Sequence, residues 1–381
     1  MKTNPSDIRV KFTVYEKEPL TQVIVSLTSC SPVRLGVGFF VLIALPLTLW
    51  NAVLGGNVDT TDGYLSYFEN ISWSLSMIYL FPFVVGLSLK YYKEIPKLFQ
   101  YLIDNVVQNK DPVQINEFLR ALGNRFNNLA MTLGCLLVTV VLNTIYFRQI
   151  LKDPDPSWMK DGLLGMSGPG LFAAIIQIIL IYWVLSLVTR GFVLSWGLYE
   201  LFNRRGFSVK IDPMHPDGVG GLRPMGYVAN IFNIILFLIG IYLSLKVIDK
   251  LFMQHAPLGD DIGNPVMLGS YVVLAPLLFF LPIGSAHNAM RAARVQLLAP
   301  ISATCQRLFG DLKNVKLNDE GARAVEMIKV LEETWDDLRK KIPVWPFDFR
   351  SLEAFFGTVI VPLLPILLPF VVGFFTAEVS E

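Results

Sequence analysis

Residues 211–224 read Ile-Asp-Pro-Met-His-Pro-Asp-Gly-Val-Gly-Gly-Leu-Arg-Pro and concentrate more reactive side chains than any other polar stretch of the chain. Asp212, His215 and Asp217 place two carboxylates and an imidazole within six residues, a set that can bind a metal ion or handle a proton. Gly218, Gly220 and Gly221 free the backbone to turn tightly or to approach a ligand closely. One histidine with two aspartates is under-coordinated for zinc. The competing expectation is therefore a rigid turn, punctuated by proline and glycine, in which His215 bonds to a nearby carbonyl. The residue types favour the turn.

The second set of candidates lies in the last apolar stretch. Pro362, Pro365 and Pro369 stand at i, i+3 and i+7, on one face of a helix. Each frees a carbonyl that needs a partner in another helix, a side chain or a water-filled cavity. That predicts a kinked helix lining a pore or cavity, or a kink satisfied by packing. Pro343 and Pro346 stop the helix before it, and Trp345, Phe347 and Phe349 suit the headgroup region. Elsewhere the apolar stretches hold only neutral polar groups. Asn143, Thr144, Gln177, Asn230 and Asn233 are the main ones, with His287 and Asn288 at a stretch end. No Asp, Glu, Lys or Arg sits near the middle of any stretch, which argues against coupling through a buried carboxylate. Amides there more often bond helix to helix. Phosphate-binding glycine loops, Ser/His/Asp sets and HExxH-type zinc motifs are absent, so no cofactor is expected.

Seven apolar stretches must position these residues: 35–55, 71–89, 129–147, 171–189, 228–245, 266–285 and 354–375. Each is long enough to cross a hydrocarbon core of about 30 Å. The segments between them alternate sharply in charge. The leader and the second, fourth and sixth connections carry 27 of the 32 Lys and Arg residues. Positive residues stay cytoplasmic during insertion, so the N-terminus is expected inside and the C-terminus outside. With 53% hydrophobic residues and a net charge of +1, the chain reads as an all-α integral membrane protein with no general affinity for nucleic acid. Its expected partners are membrane lipids and further copies of itself. The first stretch is too long for a signal-peptide core and reads as a retained anchor. Cys30, Cys135 and Cys305 are scattered and suggest free thiols.

The polar segments carry their own periods. In the leader, 1–34, Ile8, Val10, Phe12 and Val14 alternate with polar residues, and 21–29 is rich in β-formers, so a small β-hairpin is expected, with 207–211 as a third strand. Ile115, Phe118, Leu119, Leu122 and Phe126 share one helical face, in a helix expected to run straight into the third span. Leu298, Ile301, Cys305, Leu308 and Leu312 face Val325, Ile328, Leu331, Trp335, Leu338 and Ile342 across a polar turn. Two such stripes predict a cytoplasmic helical hairpin over 287–343, packed seam to seam. Spans one to six then occupy 35–286, and the proline-kinked seventh span with a short external tail fills 344–381.

The His215–Leu222 segment resembles the His-Pro-Asp-x-x-Gly-Gly-Leu segment of a group of uncharacterised polytopic membrane proteins from prokaryotes, with a looser likeness in the Pro-Val-Trp-Pro-Phe-Asp run at 343–348. That group has no assigned activity, so the resemblance implies a membrane location and no function. The layout as a whole is similar to insect odorant and gustatory receptor channels in topology alone: seven spans, N-terminus inside, a long helical connection, then a final helix that lines the pore.

Three functions are expected to compete. One is an oligomeric channel or channel-like receptor joined through 296–342. Another is a transporter for a polar neutral solute, with Gln177, Asn230 and Asn233 bonding to the solute. The last is a metal-dependent sensor or enzyme built on Asp212, His215 and Asp217. The layout favours the first.

Overall fold

In hydrocarbon every backbone N–H and C=O must be satisfied within its own segment, so long apolar stretches fold as helices. The computed structural model describes residues 12–17, 21–22, 25–26, 31–55, 67–68, 70–108, 111–152, 159, 166–203, 207, 209, 211–212, 215–250, 263–312, 319–341, 345, 356–357, 360 and 364. Span 1 is α1 (Pro32–Phe39), a π-helical segment Phe40–Ala44 and α2 (Leu45–Gly55). Span 2 is built the same way from α3 (Ile71–Leu75), a π segment Ser76–Leu80 and α4 (Phe81–Asn105). Then come α5 (Pro112–Phe126), α6 (Leu129–Lys152), α7 (Gly168–Asn203), α8 (Arg223–Ile248), α9 (Gly263–Leu312) and α10 (Asp319–Lys341). Among the described residues six segments are long and apolar enough to cross a membrane: Pro32–Val53, Ile71–Asn105, Pro112–Arg148, Gly168–Asn203, Arg223–Ile248 and Val266–Gly310. The chain is a multi-spanning, all-helical membrane protein. The expected seventh span, with Pro362, Pro365 and Pro369, lies almost wholly outside the described residues.

The spans pack around α7 and α4. Span 1, the first half of span 2 and the start of α7 share one cluster of buried side chains, including Leu47, Trp73, Met77 and Trp183. The far halves of α4 and α7 share a second with α5, α8 and α9, built on Tyr91, Phe99, Phe118, Leu198 and Phe232. α6 stands at the periphery against α7, with most of its side chains exposed as lipid-facing surface. Its buried stripe is Cys135, Thr139 and Asn143, at i, i+4 and i+8. α9 is 50 residues long, about 75 Å, far more than a bilayer needs. Its second half projects beyond the bundle and packs against α10, where Arg294 bonds to the Arg339 carbonyl and His287 stacks on Trp345 at 4.0 Å. In that hairpin the side chains shielded between the arms are Leu298, Ile301, Cys305 and Leu308 with Ile328, Leu331, Trp335 and Leu338.

The described residues hold no strand where the N-terminal β element is expected, and Ile8 and Val10 lie outside them. Residues 12–17 are an irregular stretch and a turn, and the described part of 21–29 (Thr21, Gln22, Val25, Ser26) is helical. Of the third strand there is one isolated bridge, Val209 to Val107. β-propensity mostly reports fit to a half-buried pleated surface, and the leader instead meets a helical one that supplies its hydrogen bonds through side chains. The amphipathic helix before span 3 also differs from expectation. It stops at Phe126, and Asn128 restarts the chain as α6 by accepting the Ala130 N–H at 2.9 Å. That break frees the Asn127 side chain for another task.

Candidate functional site

The Asp217 loop is a self-contained cap. Its glycines all take positive φ: Gly218 at 70°, Gly220 at 69° and Gly221 at 83°. A side chain at Gly220 would also strike the Ile211 Cγ2 atom, 2.7 Å away. The backbone thus curls around Asp217, whose Oδ1 accepts the N–H of Val219 and of Gly221, both at 3.0 Å, while Oδ2 takes that of Arg223 at 3.4 Å. His215 Nδ1 lies 2.9 Å from Asp217 Oδ1. The Asp217 N–H also points at Nδ1, from 3.3 Å. The shorter contact decides the tautomer, because a lone pair on Nδ1 would face a carboxylate; Nδ1 carries the proton. Burial opposes ionisation of Asp217, but these hydrogen bonds outweigh it and hold the carboxyl below its ordinary value.

Every near donor of Asp217 is therefore spent on the loop, which delivers the chain into α8. Asp212 is exposed and meets His215 through the main chain, its carbonyl accepting the His215 N–H at 3.0 Å. Among the described residues no metal-type group of His, Cys, Asp and Glu forms. Asp217→Ala is expected to cost about 1–2 kcal/mol, the range for a lost helix cap, read as a lower thermal midpoint in detergent. Because the folded value is depressed, this contribution is complete above the ordinary carboxylate range and is lost as pH falls through the folded value.

Of the pore and cavity candidates, Pro362, Pro365 and Pro369 lie outside the described residues, and the amides Asn230, Asn233 and Gln177 are divided between exposed surface and two packing clusters. On α8, Asn230 is exposed and Asn233 buried. Gln177 is buried on α7, but its neighbours Ile176 and Leu180 belong to the span-1 cluster, whereas Phe232 and Leu236 beside Asn233 belong to the other. The cavity between α4, α7, α8 and α9 is about 20 Å³, space for a single water, and its wall is apolar apart from Tyr91.

The functional residue that sequence reading missed is Arg190. It lies on α7 with 2% of its surface exposed. Its depth follows from packing: Cys135 Sγ contacts Thr189 Oγ1 at 3.7 Å, and Cys135 is six residues, about 9 Å, into the third apolar stretch. Arg190 therefore lies level with the apolar part of α6. Its Nε donates to the Val14 carbonyl at 3.0 Å, Nη1 donates to the Ser186 carbonyl at 3.2 Å and to the Ser186 hydroxyl, and the guanidinium lies 5.6 Å from the Tyr92 ring.

Arg190 thus fastens the N-terminal strap, residues 12–17, into the end of the bundle where α5 packs. Val14 is fully buried there. Phe12 stacks on Phe126 at 5.7 Å and packs over Gly123, whose missing side chain leaves the room. Asn127, freed by the break before α6, donates to the Thr13 carbonyl at 2.7 Å and accepts the Lys17 N–H at 3.1 Å. Irregular backbone at membrane depth persists only where protein satisfies it, and Arg190 and Asn127 do so here. A clue was available in the sequence: the apolar pattern resumes after Arg190 and runs to Phe202, so the charge interrupts a helix without ending it.

No family model, curated protein or solved structure matches this chain.

Proposed function

We propose that this protein is an oligomeric membrane channel or channel-like receptor, assembled through its cytoplasmic hairpin, with permeation along a path between protomers lined by the last helix. The observation that carries this reading is the surface of the hairpin. Val295, Phe309, Val325, Met327 and Val330 are each more than half exposed on the two arms of the hairpin. Met327 and Val330 lie off the seam, three residues apart on one face with Thr334, and a second copy would cover them. The cavity between α4, α7, α8 and α9 supports the same reading, since about 20 Å³ holds one water and no larger solute. The strap held by Arg190 stands at the cytoplasmic mouth in the orientation that the charge pattern favours.

Oligomeric state is the test. Mass measurement of the purified protein in mild detergent is expected to give a multiple of the 42.8 kDa chain, falling to one copy when Phe309, Met327 and Val330 are replaced by serine. A wild-type protein that is a single copy at every concentration overturns the proposal. In the oligomer, cysteines at 362, 365 and 369 are expected to react with small water-soluble reagents and to block conductance.

A further inference from the structure

Asp249 follows the last residue of α8, at the end opposite the Asp217 loop, and is 3% exposed. With Arg190 it is the second buried acidic or basic residue at the end of an apolar stretch among the described residues. Its contacts can be counted proton by proton. Ser72 Oγ lies 3.2 Å from Asp249 Oδ2 and 2.8 Å from Asn70 Oδ1. A hydroxyl has one proton, so Ser72 can donate to only one of these acceptors, and the shorter contact is to Asn70. Asn70 also accepts the Trp73 N–H at 3.2 Å, which is a helix N-cap. The Ile71 N–H donates to the Asp249 carboxyl, while Asp249 Oδ1 is buried without a hydrogen-bond partner among the described atoms. An ionised carboxylate with so few donors is costly to bury.

One added proton satisfies the set. With Oδ2 protonated, Asp249 donates to Ser72 Oγ, Ser72 donates to Asn70 Oδ1, and Oδ1 becomes a neutral carbonyl that tolerates burial. We propose that Asp249 is a proton-binding site, holding a proton at neutral pH through the relay Asp249–Ser72–Asn70 and releasing it when the solution on that side becomes alkaline. The site is independent of the oligomer reading, because every group in it belongs to one chain.

The charged neighbours are few. Segment 70–76 carries no ionisable side chain. On α8 itself, Lys246 favours the charged form, but its ammonium lies over the Tyr146 and Tyr242 rings at 5.2 and 5.8 Å; Lys250 follows Asp249 directly. Burial outweighs Lys246 and the hydrogen bonds, and pushes the carboxyl above its ordinary value. On deprotonation the nearest uncommitted donor along the helix is Ser76, one turn past Ser72. Its Oγ is fully buried with no partner among the described atoms, and it begins the π segment of span 2.

The test uses the full chain in detergent, as wild type and Asp249→Asn. A carboxyl with a raised folded value loses stability as pH rises from its ordinary value through the folded one. Wild type is expected to lose thermal midpoint as pH rises above the ordinary carboxylate range, and the Asn variant to lack that fall and match or exceed wild type at the alkaline end. An Asn variant less stable than wild type by the same margin at every pH overturns the proposal, because Asp249 is then an ionised cap. Infrared spectroscopy with isotope-labelled aspartate gives a direct reading if the Asn variant does not fold. Near neutral pH the wild type is expected to show a protonated aspartate carbonyl band that loses its isotope shift in Asp249→Glu. Absence of that band in wild type also overturns the proposal.

Discussion

Arg190→Leu is expected to lower stability by about 2–4 kcal/mol and to release the N-terminal strap. The estimate combines about 1–3 kcal/mol for a buried carbonyl left without a donor and about 1 kcal/mol for the contact with the Tyr92 ring. Removing a buried charge can itself be favourable, so loss of charge is not what makes the change costly. The cost comes from Val14, whose carbonyl accepts from Arg190 Nε at a depth where water cannot substitute. Arg190→Lys is expected to fall between the two, because one ammonium cannot reproduce the fork that reaches Val14 and Ser186 together. The readout that separates this from general destabilisation is local. A cysteine at position 14 in the Arg190→Leu background is expected to react with a thiol reagent well below the unfolding temperature, while the same cysteine beside intact Arg190 stays protected. Equal protection in both would show that Phe12 and Asn127 hold the strap without Arg190.

Arg190 and Asp249 also mark where the sequence was hard to read. The six spans are legible because an 18-residue apolar stretch has few folded alternatives to a membrane helix. The shielded positions of the hairpin are legible too, since Leu298, Ile301, Cys305 and Leu308 keep a 3-4 spacing that only a helical seam explains. Both buried charges sit at the ends of apolar stretches, Arg190 directly after residue 189 and Asp249 four residues after 245. Hydropathy ends a stretch where charge begins, but the α7 helix continues for thirteen residues past Arg190. Whether such a charge is wet or buried depends on which neighbour reaches the same depth, and that is set by contacts such as Cys135 with Thr189. Helical register between spans leaves no local signature. The leader failed for a related reason. Its alternation is real, but the partner that buries Phe12 and Val14 is a helical surface more than a hundred residues away.

The second large effect belongs to the crossing of spans 1 and 2, where Gly86→Leu is expected to prevent the native packing and Gly86→Ala to cost about 1–3 kcal/mol. The contact is reciprocal. A Cβ on Gly86 would lie 2.8 Å from the Pro32 carbonyl oxygen, and one on Gly36 would lie 2.7 Å from that of Pro82. Each proline precedes its glycine by four residues, so the same short motif on both helices brings backbone against backbone. Neither obstacle is a flexible side chain; relief requires one helix to move, and the π segments flank the crossing, Phe40–Ala44 starting four residues after Gly36 and Ser76–Leu80 ending two before Pro82. Gly134 supplies the control, since a Cβ there meets nothing within 4 Å. Gly134→Ala is expected to be neutral or to stabilise by up to about 1 kcal/mol, through reduced backbone freedom in the unfolded chain. Thermal midpoints of the two alanine variants in one detergent make the comparison. Gly36→Ala combined with Gly86→Ala is expected to cost less than the sum of the single changes, because both relieve the same crossing by the same displacement. Equal midpoints for Gly86→Ala and Gly134→Ala would mean that the spans approach less closely than 2.8 Å implies, and that lipid-like chains share the interface.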